Sequence, residues 1–128
     1  MTEELRESGR PTGLTRLWLA TMNSRRGIQQ CYRSEAAFRQ EVWLACVLIP
    51  AGLWLGENGV ERVLLVGSML LLLVIELLNT GIEVVVDRIG VERHPLSGFA
   101  KDVGSAAVFF GLVLLFLTWA LILWDRLF

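Results

Sequence analysis

Along this chain the apolar positions gather into three long runs rather than alternating or scattering. The first covers residues 42–56 (VWLACVLIPAGLWLG) and contains Pro50 and Gly52. The second covers residues 63–75 (VLLVGSMLLLLVI) and continues through a polar-studded stretch to Val86, and the third covers residues 103–124 without a charge. A helix needs about 20 residues to cross the hydrocarbon core. The third run meets that length outright, the second meets it with Glu76 and Glu83 included, and the first meets it if its helix starts earlier, within 35–41. Nothing alternates with a period of two over barrel-strand lengths, so strands are not expected. Residues 57–59 (Glu57, Asn58, Gly59) form the short turn between the first two spans.

A different pattern precedes the runs. Leu14, Leu17, Trp18, Thr21, Ile28 and Tyr32 share one side of a helical wheel, while Arg16, Arg25, Arg26 and Arg33 mostly point elsewhere. That describes an amphipathic helix over residues 14–33 lying in the membrane surface, with a bend at Gly27. Residues 1–13 read as disordered, and their Glu3, Glu4 and Glu7 do not suit a signal peptide. The expectation is an all-α membrane protein: a disordered segment 1–13, an interfacial helix 14–33, and a three-span domain 34–128.

Composition agrees. Of the 128 residues 54% are hydrophobic and 20% charged, and the mean hydropathy is +0.54. A soluble globular enzyme is excluded on that basis. A net charge of −1 argues against nucleic acid as partner, since displacing counterions from phosphates takes a basic surface. Cys31 and Cys46 make neither a disulfide framework nor a zinc site. Charge placement sets an orientation. Seven arginines precede the first run, and Arg88, Arg93 and Lys101 lie around the second connection; Arg62 and Arg126 are the only basic residues on the other side. By the positive-inside rule the N-terminus and the second connection face the cytoplasm. Trp43, Trp54, Trp119 and Trp124 lie near run ends, where indoles favour the headgroup region.

The chemistry concentrates in residues 76–87 (ELLNTGIEVVVD). Asn79, Glu83 and Asp87 follow Glu76 at angles of about −60°, −20° and +20° around a helix, a narrow polar stripe on an otherwise apolar surface. A charge at membrane depth costs on the order of 3 kcal/mol, so such residues face protein or water and serve a function. Three polar clusters share the stripe's membrane face: Glu35, Arg39, Gln40 and Glu41; Arg88, Glu92, Arg93 and His94; and Lys101, Asp102 and Ser105. Carboxylates with a few cations at an interface suit magnesium and phosphoryl transfer. The same stripe would also serve as a helix–helix seam with Asn79 bridging, or as an ion or proton relay in a small transporter. Gly52 and Gly56 read as close helix packing, and no phosphate-binding glycine loop occurs. Kinase, transporter and scaffold all remain open at this point.

Three blocks narrow the choice. SEAAFRQE at 34–41, VIELLNTGIEVVVDRIG at 74–90 and HPLSGFAKDVGSAAV at 94–108 resemble the prokaryotic diacylglycerol kinase family, over roughly residues 13–128. The resemblance implies transfer of the ATP γ-phosphoryl group to diacylglycerol, giving phosphatidic acid at the cytoplasmic face of the bacterial inner membrane. It further implies Mg²⁺, and a homotrimeric bundle whose sites are shared between subunits. By motif position it implies Glu76 as general base, with Asn79, Lys101 and Asp102 as further catalytic residues. Glu35 and Glu83 are the implied metal ligands. Arg16, Glu35, Glu83, Glu92, Arg93, His94, Lys101 and Asp102 would meet ATP. Arg16, Ser24, Ala37, Phe38, Arg39, Gln40, Glu76 and Ser105 would meet lipid substrate. Asn23 departs from the family, in which an aromatic is usual nearby. A polyprenol kinase acting on undecaprenol is the neighbouring possibility.

Overall fold

The computed structural model describes residue 9 and residues 11–128, so the expected disorder of 1–13 lies largely outside the described residues. Four helices follow one another: α1 (Gly13–Ser34), α2 (Ala36–Leu55), α3 (Gly59–Ile89) and α4 (Pro95–Leu127). The last three are long and apolar enough to cross a membrane. The first span does begin ahead of its apolar run, at Ala36, and it stays helical through Pro50. α4 begins at Pro95, eight residues before the charge-free run, so the block 95–102 is helix rather than loop. α1 runs without interruption through Gly27.

Local chemistry sets the boundaries. Asn58 caps α3, its side chain accepting the Glu61 N–H at 2.9 Å, so Gly59 belongs to the helix rather than to the turn. α4 starts with Pro95 behind His94, whose Nδ1 accepts the Leu96 N–H at 3.1 Å. Proline suits that place because its missing N–H would have had no partner there. Between α1 and α2 the chain turns at a single extended residue, Glu35. Arg39 braces this corner by donating to the Tyr32 and Arg33 carbonyls at 2.8 and 2.9 Å. At the other end of α2, Arg62 donates to the Leu53 carbonyl at 3.1 Å, and Arg126 from the end of α4 pairs with Glu57 at 3.2 Å.

α3 is the central element. It packs along α2 on one side and α4 on the other, while α1 touches the bundle only near its C-terminal end. Ala45, Met69, Leu72 and Leu115 form the core, flanked by Leu48, Ile49 and Trp119. The spacing of Gly52 and Gly56 works as close packing. A Cβ on Gly52 would lie 3.1 Å from that of Leu65, and one on Gly56 would run into Arg62. Trp119 differs from its expected headgroup position: its indole is drawn into the seam and donates to the Leu65 carbonyl at 3.1 Å. An indole N–H buried among apolar side chains takes a backbone acceptor where one is near. The other four tryptophans are exposed, Trp54 at 84%, as are Phe109, Phe110 and Phe116. Such an apolar exterior has lipid, or another copy of the chain, as its natural solvent.

Candidate functional site

The polar stripe of α3 faces the seams with its neighbours. Glu76, its innermost member, is only 4% exposed. Its carboxyl group lies within hydrogen-bonding reach of the Glu41 carboxyl from α2, and Glu41 is itself buried. Glu83, two turns further on, and Glu35, at the α1–α2 corner, are half-buried and lie within electrostatic reach of Glu76. Asn79 turns toward α4. Its Oδ1 is buried with no hydrogen-bond partner among the described residues, and it sits over Gly104, where any side chain would overlap it. Asp87 closes the stripe in an ion pair with Lys101 of α4, Nζ to Oδ1 2.8 Å. Lys101 is also within reach of Glu83. Two anchors thus hold the stripe in place, Glu41 on the α2 side and Lys101 with Gly104 on the α4 side.

Beyond Asp87 the chain opens a cleft of about 550 Å³ between the ends of α3 and α4. Asp87, Glu92, Arg93, His94, Ser97 and Lys101 line it. Two cations, Arg93 and Lys101, and two carboxylates, Asp87 and Glu92, face this cleft together with the His94 imidazole, so its formal charges balance.

Of the site residues read from the sequence, Glu35, Glu76, Asn79, Glu83 and Lys101 gather around one stripe, and Glu92, Arg93, His94 and Lys101 share the cleft. Asp102 and Ser105 are exposed on α4. Phe38 is 2% exposed and packs inward, whereas Ala37 and Gln40 face outward and Arg39 is taken up by the corner carbonyls. Arg16 and Ser24 are exposed on the part of α1 that leaves the bundle. The Ser24 hydroxyl donates to the Ala20 carbonyl at 2.9 Å. From Arg16 to Cys31, the one buried residue of α1, the helix runs about 22 Å, so this chain does not bring Arg16 to its own Glu76.

The carboxylates near Glu76 would suit a magnesium ion that shares its shell with substrate phosphates. Among the described residues no three carboxylate, histidine or cysteine side chains form a closed cage. Magnesium needs none: one or two carboxylates, with water and substrate phosphates, usually complete its shell. Glu35 and Glu83, both partly accessible and each within electrostatic reach of Glu76, would be the candidates for such a pair.

Two residues of this site carried no assigned role in the sequence. Asp87 was visible as the end of the stripe, but its pairing with Lys101, 14 residues away, depends on how α3 and α4 align. Glu41 stood in a polar cluster without anything to single it out. Near the corner, Cys31 reaches Thr80 at 3.7 Å, and burial pushes its thiol above the ordinary value, against a smaller opposing effect from the Thr80 hydroxyl.

The family described as prokaryotic diacylglycerol kinase matches residues 22–123. The diacylglycerol kinase of Haemophilus influenzae is 50% identical over 112 residues, covering 88% of this chain and 95% of that protein. The diacylglycerol kinase of Pseudomonas aeruginosa is 51% identical, with 88% and 91% covered. That of Escherichia coli K12 is 44% identical over 115 residues, with 90% and 94% covered. With a family match over most of its length and relatives this similar end to end, the chain belongs to the prokaryotic diacylglycerol kinase family of enzymes.

Proposed function

We propose that this protein transfers the γ-phosphoryl group of ATP to the hydroxyl of diacylglycerol, forming phosphatidic acid, at the cytoplasmic face of the bacterial inner membrane. The observation that carries the reading is a buried carboxylate, Glu76, set at interface height with two further carboxylates within electrostatic reach and a cleft lined by Arg93, His94 and Lys101 beyond. The height follows from helix lengths. Counting about 20 residues per hydrocarbon span from Gly59 along α3 ends near Leu78, and from Leu127 back along α4 ends near Val108. α2 begins at Ala36. Glu76 therefore lies near the membrane surface, where a lipid alcohol presents its hydroxyl, while Glu83, Asp87 and the cleft stand in water with access to nucleotide.

In this reading Glu76 takes the proton as the acceptor hydroxyl's oxygen forms its bond to the γ-phosphorus and the bond from that phosphorus to the β–γ bridging oxygen breaks, leaving ADP. Lys101 turns from Asp87 to the phosphates. Arg93 and His94 hold the rest of the polyphosphate, and Asn79, wedged over Gly104, orients groups between the two substrates. Asp102 completes the polar edge of α4. Glu35 and Glu83 would hold magnesium, which supplies charge neutralisation on the transferring phosphoryl group. Arg16 and Ser24, remote from Glu76 within one chain, would serve a neighbouring subunit of a homotrimer.

Purified protein in mixed micelles with labelled ATP and magnesium tests the reading. Labelled phosphatidic acid is the expected product, and Glu76→Gln should abolish it while the protein still assembles. A fully active Glu76→Gln enzyme would remove the base. Labelling of undecaprenol in place of diacylglycerol would move the protein to the polyprenol branch. Ion flux without ATP consumption would move it to transport.

A further inference from the structure

Glu41 has no part in the mechanism above, yet it is among the few buried charged side chains of the described residues, 9% exposed within an apolar span. Its carboxyl group meets that of Glu76 across the α2–α3 seam. Its Oε2 is buried and no donor among the described residues reaches it. A carboxylate oxygen without a donor in such a place is unfavourable, and two carboxylates cannot bond to each other at all. A neutral carboxyl group on Glu41 carries a hydroxyl that can donate, and the neighbouring acceptor is the Glu76 carboxyl group. One proton shared by the pair also leaves a single charge to bury instead of two. If Glu76 is to take a proton from the substrate it must be the ionised partner, which puts the proton on Glu41.

We infer that Glu41 is a positioning residue for Glu76: its carboxyl group donates a hydrogen bond that keeps the Glu76 carboxylate aimed at the acceptor hydroxyl. The inference rests on the reading of Glu76 as base. Glu41 touches no substrate and gives up no proton in the cycle; the proton arriving from the acceptor goes to the other oxygen of Glu76.

Glutamine is the discriminating replacement, because its amide is neutral and donates from nearly the same place. In the mixed-micelle assay Glu41→Ala should lower kcat by about 10²-fold with the KM for ATP changed by no more than about threefold. Glu41→Gln should stay within about fivefold of wild type. The infrared carbonyl stretch of a protonated carboxyl group should be present in the wild-type protein at neutral pH and missing from Glu41→Gln. Wild-type kcat in Glu41→Ala alongside an inactive Glu76→Gln would overturn the inference and leave the base standing. Glu41→Gln as slow as a well-assembled Glu41→Ala would overturn the donor role, as would persistence of the infrared band in Glu41→Gln. An active Glu76→Gln would remove base and positioning residue together. Should Glu41→Ala fail to assemble, Glu41→Gln and its infrared band decide the matter.

Discussion

Single residues of the site differ in how much their neighbours constrain them, and each difference has a measurable consequence. Glu35 and Glu83 are only half-buried and have no ion-pair partner among the described residues. That leaves their oxygens free for a cation. Replacing either by glutamine should raise the magnesium concentration needed for half-maximal activity by about tenfold, with little effect on folding. Unchanged magnesium dependence in both variants would reject the ligand assignment. Cys31 responds to pH instead. Burial holds its thiol above the ordinary value, so the folded protein keeps the proton where the unfolded chain would release it. The resulting stability is present below the ordinary thiol value and declines as the pH rises through the value in the folded protein. Alkylation of Cys31 by a water-soluble maleimide should accordingly be slower than that of a free thiol at neutral pH and accelerate on the alkaline side. A rate equal to that of free cysteine would show that α1 does not stay docked. The narrow stripe of Glu76, Asn79, Glu83 and Asp87 was legible in the sequence because helical periodicity puts those positions at one azimuth whatever they pack against. Glu41 was not, since its significance lies in facing Glu76 across a seam whose register only packing determines.

At the scale of elements, α3 and α4 are long enough to do two things at once. About 20 residues of each suffice for the membrane, and α3 has 31 and α4 has 33. The surplus extends past the apolar region and forms the walls of the cleft. Their alignment depends on close contacts, of which Gly104 is the one nearest the chemistry. A methyl group there would collide with Asn79 Oδ1, and an atom already buried without a partner has little room to move aside. Gly104→Ala should push Asn79 out of the seam and lower kcat by at least about tenfold, while costing about 1–3 kcal/mol of stability as an overpacked site. Kinetics together with thermal unfolding in detergent measure the two effects. Wild-type kinetics would show that Asn79 need not stay in that position. The three apolar runs read from the sequence each lie along a helix long and apolar enough to cross a membrane. The sequence misjudged the start of α4, where Lys101 and Asp102 look like loop residues by composition but sit in helix behind the His94–Pro95 cap.

For the whole molecule, the notable property is how little one chain buries. Among the described residues the fully buried large side chains are Leu65, Met69 and Leu72, while α1 projects with Arg16 and Ser24 away from its own stripe. If the proposed site includes those residues, it would be composed between chains. Mixing two inactive variants, Arg16→Ala and Glu76→Gln, should then restore activity, because some mixed assemblies contain one site with both wild-type residues. Mixtures no more active than their components would confine each site to one chain. The family resemblance carried function further than periodicity could, since a carboxylate stripe by itself serves a relay or a seam as readily as a phosphoryl transfer.

By itself the sequence determined the helices, their membrane-spanning lengths and the azimuth of the polar stripe, because these follow from local periodicity and from the cost of unpaired backbone in lipid. It also determined the family, through blocks whose spacing is linear along the chain. What the stripe faces came from helix packing: Glu41 opposite Glu76, Gly104 beneath Asn79, Lys101 on Asp87, and, elsewhere in the seam, Trp119 turned inward to the Leu65 carbonyl. Each of these pairs lies on different helices, and such contacts depend on the relative depth and rotation of two rods, which no short-range pattern encodes.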